Sequence, residues 1–225
     1  MNTAILLLAG CAIAFCQEDI ASGQESFADR AAPTVTAEQK SNPFFAKLLN
    51  PFIPEDQKQP LTAKLRFHLY LHGTIGFFPI FREAASAGIE QARGDPHEWG
   101  GGMEGFAKRF GNELAINAIH NTVTYGFASA LHEDNRYFAS GKSGKWQRVL
   151  HAVLSPLEAR REDGSVGPSY SNIVGTASSI AISQAWAPPS RRGVGEVFGN
   201  IGVSFAGQAG FDVFREFLPD LLHRR

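Results

Sequence analysis

Residues 131–137 read Leu-His-Glu-Asp-Asn-Arg-Tyr and place an imidazole, two carboxylates and a guanidinium within a few positions of one another. With that set His132 can serve as a general base oriented by Glu133 or Asp134, or these residues can ligate a metal ion. A candidate site of His132, Glu133, Asp134 and Arg136, centred on hydrolase or metal-dependent chemistry, follows. The same residues at the end of a helix have a plainer use: His132 and Arg136 complement the helix dipole, and Asp134 pairs with Arg136. The plainer use has more support, because a single local cluster brings no partner from a second segment.

Other residues carry weaker signals. His68 and His72 lie four apart, a helical spacing that chelates a metal, but the glutamate of a zinc-protease helix is missing because Leu69 follows His68. His120 stands among apolar residues and reads as a hydrogen-bonded core side chain. Gly100-Gly101-Gly102 precedes a helix as a phosphate cradle would, without the Gly-Lys-Ser/Thr ending and without a preceding strand. Gly202-Val203-Ser204-Phe205-Ala206 approaches a nucleophile elbow but ends on alanine. No motif implies a cofactor, and no small-molecule ligand follows from the sequence.

The elements that would hold these residues are helices. Start signals at Pro60 and Thr62 predict a helix over 60–72. A second covers 80–93, closed by Gly94-Asp95-Pro96. A long one covers 103–131, supported at its start by Glu104–Lys108 and Arg109–Glu113 pairs four apart. A short helix over 145–154 follows, then 170–187 before Pro188-Pro189, and 194–218 with Pro219 as its end. Residues 155–168 read as loop. Residues 17–59, with Pro33, Pro43, Pro51 and Pro54, read as a flexible tether. Phe44, Phe45, Leu48, Leu49, Phe52 and Ile53 form an apolar exception in it, suited to docking. The folded domain is therefore 60–225, all-α, a compact bundle of about four to five helices.

Small residues recur three or four apart and so share a helical face. Gly88 lies between Ala84 and Ala92. Gly111 and Gly126 lie in a row with Ala115, Ala118, Thr122 and Ser129. Gly175 is flanked by Ser171, Ser179 and Ser183. Gly195, Gly199, Gly202 and Gly210 run along the last helix with Ala206. A glycine inside a helix costs about 1 kcal/mol relative to alanine. Close approach of a neighbouring helix would offset it, so these glycines are expected at helix contacts. A rival pattern is alternation. Bulky residues at 123, 125, 127 and 131, at 201, 203 and 205, and at 65, 67, 69 and 71 alternate with other residues, as strands of a small outer-membrane β-barrel would. No turn signals separate these pieces from plainly helical ones, which favours the bundle.

The 225 residues carry 21 Lys and Arg against 22 Asp and Glu, a net charge of -1, which argues against a nucleic-acid partner. Residues 4–15 form an apolar run of export-signal length, too short to span a bilayer. A cut after Cys16 would remove both cysteines, leaving a mature chain without thiols. Leu8-Ala9-Gly10-Cys11 also resembles the acylation site of bacterial lipoproteins, a second way of processing the same segment. These features predict export to the periplasm or the outer membrane.

Four motifs carry a resemblance to known sequences. They are Glu98-Trp99-Gly100, Gly105-Phe106-Ala107-Lys108-Arg109-Phe110-Gly111, Leu131-His132-Glu133-Asp134-Asn135-Arg136-Tyr137 and Tyr170-Ser171-Asn172-Ile173. The chain resembles a group of exported bacterial proteins of unknown function that is frequent among Acidobacteria, over roughly residues 60–225. Asn135 stands where that group has proline. The resemblance implies export and a bacterial envelope and brings no activity. The expected function is a non-enzymatic envelope protein that associates with a membrane surface or with copies of itself.

Overall fold

The computed structural model describes residues 61–222, which lie in one compact unit. The expected export segment over 1–16, with Cys11 and Cys16, and the tether over 17–59 fall outside the described residues. Six α-helices occur among the described residues: α1 (Ala63–Ile75), α2 (Phe77–Arg93), α3 (Gly102–Leu131), α4 (Lys145–Leu154), α5 (Tyr170–Ser183) and α6 (Val194–Leu222). The expected helical class holds. The barrel alternative does not, because every alternating segment lies inside α1, α3 or α6.

The helix ends follow from local chemistry. The Thr62 hydroxyl accepts from the Leu65 amide at 3.2 Å and starts α1. Gly94 ends α2 in the left-handed region at φ 66°, with its amide and that of Asp95 returning to carbonyls of the last turn. The Ser169 hydroxyl accepts from the Asn172 amide at the start of α5. Several bounds differ from expectation. Helix α1 runs on to Ile75 and α2 starts at Phe77, so only Gly76 separates them. Helix α5 ends at Ser183 rather than near 187. Helix α6 continues through Pro219, where Arg148 clamps the last turn from outside by donating to the Glu216 carbonyl at 2.6 Å and to Asp220 at 2.6 Å.

Helix α3 is the central element. It packs most extensively on α5 and also on α1 and α2, while α4 lies on α6 and α5 touches α6. Where a loop was expected, β1 (Glu158–Arg160) and β2 (Val166–Pro168) form an antiparallel hairpin with Ala159 opposite Gly167. Three-residue strands are too short for alternation to reveal them. The backbone of Asp134 pairs with Arg160, which ties the hairpin to the segment after α3.

Of the eight glycines expected at helix contacts, Gly175 is at one. A Cβ there would overlap the Thr124 hydroxyl and stand 3.1 Å from the His120 carbonyl. Gly88, Gly111, Gly126, Gly195, Gly199, Gly202 and Gly210 have nothing within 4 Å of an added Cβ. Within one chain, the expected packing role of these seven is therefore corrected. On α3 the face turned to α5 carries His120 and Thr124 rather than the row of Gly111 and Gly126.

Burial is inverted relative to an ordinary soluble domain. The largest fully buried side chains are Arg109 and Glu133, at 0% and 1% exposed, followed by Thr176, Pro96 and several serines. Large apolar side chains face outward on every helix, among them Ile75 at 68%, Phe77 at 74%, Met103 at 80% and Trp146 at 75%.

Candidate functional site

The polar interior lines a half-open cavity of about 660 Å³. Helices α2, α3, α5 and α6 form its walls. The segment 134–138, the hairpin and the end of α4 close one side. Helix α3 contributes Glu113, Asn117, His120, Asn121 and Thr124, spaced three or four apart and so on one inward face. This polar stripe is what interrupted the apolar run of α3 in the sequence.

Part of the stripe holds the fold. Helix α1 ends with carbonyls that lack partners inside the helix. The Asn117 amide donates to Gly73 O at 3.2 Å and to Thr74 O at 3.3 Å, and the Asn121 amide donates to Gly73 O at 3.0 Å. The Asn117 oxygen accepts from Arg82 at 3.1 Å and from Asn121 at 2.9 Å, while Arg82 also pairs with Glu83.

The remaining groups carry unusual protonation. Burial, reinforced by the Glu90 and Glu83 carboxylates, pushes Glu113 up to about 7. Its oxygens receive only neutral donors, Ser86 at 3.3 Å and Asn112 at 3.1 Å. Burial, with Arg82 adding to it, pulls His120 down to about 4, so its imidazole is neutral at pH 7. On the opposite wall, burial raises Asp212, which accepts from Ser155 at 2.6 Å and faces Arg215 at 3.9 Å.

No family model, curated protein or solved structure matches the chain. The residues themselves must therefore carry the functional argument.

The structure separates the candidate cluster after α3. His132 is the exposed cap of α3, in the left-handed region at φ 54°. Glu133 turns inward and accepts from the Ser171 amide at 2.9 Å, the Ser171 hydroxyl at 2.5 Å and the Tyr170 amide at 3.2 Å. It thereby caps the positive end of α5. Its carbonyl accepts from Arg66 of α1 at 2.7 Å. Asp134 holds Arg136 through contacts at 3.0, 3.1 and 2.7 Å. Asn135 donates to Ser171 at 2.7 Å and accepts from Ser169 at 3.0 Å. The partners from a second segment do exist, but they are hydroxyls and amides that consume the carboxylate rather than leave it for substrate. His68 and His72 lie 4.4 Å apart, ring to ring, on the exposed side of α1. No group of three or more metal-ligating side chains occurs among the described residues.

Sequence reasoning missed two interior nodes. Arg109, expected to pair with Glu113, instead donates to the carbonyls of Asp95, Pro96 and Gly100 at 2.9, 2.8 and 2.9 Å and to the Gln91 side chain at 2.5 Å. Gly105 makes room for it, since a Cβ would stand 2.5 Å from Gly100 O and 2.8 Å from the guanidinium. The other expected pair, Glu104–Lys108, is formed at 2.7 Å. At the far end, Glu216 is buried and accepts from Tyr137 at 2.5 Å, Ser140 at 2.6 Å and Arg148 at 3.0 Å. Burial alone would raise the Glu216 carboxyl, but these donors outweigh it and hold it below its usual range.

Proposed function

We propose that the chain works in the bacterial envelope as a non-enzymatic helical bundle that associates with a membrane surface. The inverted burial supports this reading. Monomeric soluble domains rarely expose contiguous apolar patches beyond a few hundred Å². Here Phe67, Leu71 and Ile75 line one face of α1, and Phe77 and Phe81 stack at the start of α2 with centroids 6.4 Å apart. Each such side chain gains about 1.5–3 kcal/mol when removed from water. No helix among the described residues is long and apolar enough to cross a membrane. The proposed association is therefore interfacial, with helices lying along the surface.

Flotation of the full chain with phosphatidylethanolamine and phosphatidylglycerol vesicles tests the proposal. The chain is expected to float with the lipid, and the double variant Phe77→Ser/Phe81→Ser to float less. A chain that stays in the aqueous fraction as a monomer defeats the reading.

One observation favours a second reading, self-association. Gly195, Gly199, Gly202, Ala206 and Gly210 lie exposed along one row of α6, beside outward-facing Val194, Phe198 and Val203. That outer face is flat enough for a second helix to approach. Light scattering that finds a dimer, lost in Gly199→Leu while flotation persists, would favour it.

A further inference from the structure

The cavity has room for a ligand of drug-like size, since such sites span about 300–1,000 Å³. Its volume is about 660 Å³. Charge pairing around its wall is uneven. Glu83 faces Arg82, Asp134 faces Arg136, Asp212 faces Arg215, and Arg160 lies over the Phe138 ring at 4.2 Å. Glu113 lines the same cavity, lies largely buried, and has two neutral donors and, among the described residues, no cation within ion-pair distance. On α2, Glu83 and Glu90 add negative charge beside it, and Arg82 is already engaged with Glu83 and Asn117. Buried carboxylates are normally paired, because desolvating an ion without a partner is unfavourable.

We infer that the cavity binds a small organic ammonium ion, with its cationic nitrogen at the Glu113 carboxylate and its polar remainder along the Asn117–Asn121 stripe of α3. An ammonium group supplies the cation that Glu113 lacks and donates hydrogen bonds to oxygens now served by Ser86 and Asn112. A carboxylate ligand at the same point would meet Glu83 and Glu113 together and be repelled. This inference does not depend on membrane association, because the site lies inside the bundle.

Titration calorimetry of the full chain with ethanolamine hydrochloride, glucosamine hydrochloride, glucose and sodium acetate at pH 8 tests it. At least one of the two ammonium probes is expected to bind the wild type, and acetate is expected not to. Glu113→Gln, which keeps the side-chain shape, is expected to weaken ammonium binding at least tenfold while remaining folded by circular dichroism. Glu104→Gln serves as the control. This exposed carboxylate at the start of α3 pairs with Lys108 and lies outside the cavity lining, and its removal should leave the affinity within about twofold. Equal ammonium binding by Glu113→Gln overturns the inference. So does acetate binding as tight as ammonium binding, or the absence of binding by both ammonium probes.

Discussion

Helix α5 and helix α6 carry similar rows of small residues, yet the rows do opposite things. On α5, Ser171, Gly175, Ser179 and Ser183 are all buried, and Gly175 lies against Thr124 and His120 of α3. On α6, Gly195, Gly199, Gly202 and Gly210 have open space where a Cβ would be. Spacing alone shows that a helix can be approached closely. Whether it is approached depends on a partner, and α5 has one because Glu133 and Asn135 at the end of α3 grip Ser169 and Ser171. The polar clasp sets the crossing, and the glycine permits it.

The comparison breaks first at the seam. Gly175→Leu must displace the α3 backbone at His120, and overpacking of this kind destabilises by about 3 kcal/mol or more. Thermal unfolding is expected to fall by about 10 °C. An unchanged melting temperature would mean that α3 and α5 do not meet there.

The clasp is the next lever. Glu133→Ala leaves the buried Ser171 amide and hydroxyl, and the partly buried Tyr170 amide, without their acceptor. The expected loss is about 2–3 kcal/mol in urea unfolding. His132→Ala at the neighbouring exposed position should change stability by less than about 1 kcal/mol, since a non-glycine residue already occupies the left-handed cap. If His132→Ala proves the more damaging of the two, the clasp is misassigned.

How far each region could be read from sequence follows from the range of its interactions. Helix spans were legible because capping residues and periodicity act within a few positions, as at Thr62 and Gly94. The same locality explains the Glu104–Lys108 pair. Arg109 was misread because its acceptors are loop carbonyls nine to fourteen residues upstream, which leave no mark in side-chain pattern. Glu113, Asn117 and Asn121 were visible as polar interruptions of α3. Their convergence with Asp212 and Arg215 of α6 depends on how the helices cross, which no local spacing encodes. The cluster at 132–136 was visible as chemistry, but its use as a clasp was set by Ser169 and Ser171, more than thirty residues away.

The cavity gives a smaller effect whose sign depends on pH. Glu113 binds a proton more tightly folded than unfolded, so its ionisation opposes folding as pH rises from about 4.5 to about 7. Glu113→Gln removes that penalty. It is expected to be near-neutral at pH 4.5 and to stabilise by roughly 1–3 kcal/mol at pH 8. His120 has the opposite slope, because its folded form resists protonation between about 4 and 6.5. His120→Gln should therefore gain stability relative to wild type toward pH 4 and not at pH 8. Urea midpoints at the two pH values separate the groups, and a pH-independent gain for Glu113→Gln would show that Glu113 is not buried as a carboxyl.

The smallest effect lies on the open face. Gly199→Ala meets nothing within 4 Å, and alanine is favoured over glycine inside a helix by about 1 kcal/mol. At low protein concentration the variant should therefore unfold slightly later than wild type, the reverse of what a glycine at a helix contact would give. Gly199→Leu should likewise leave the isolated chain folded, since leucine is a good helix former and has space. The two substitutions differ only if a second helix reaches this face, because then leucine obstructs it and alanine barely does. Melting temperature at two protein concentrations reads that distinction directly. A loss of stability in Gly199→Leu confined to the higher concentration would assign the α6 row to contact between copies. A loss at both would restore the row to the interior of a single chain.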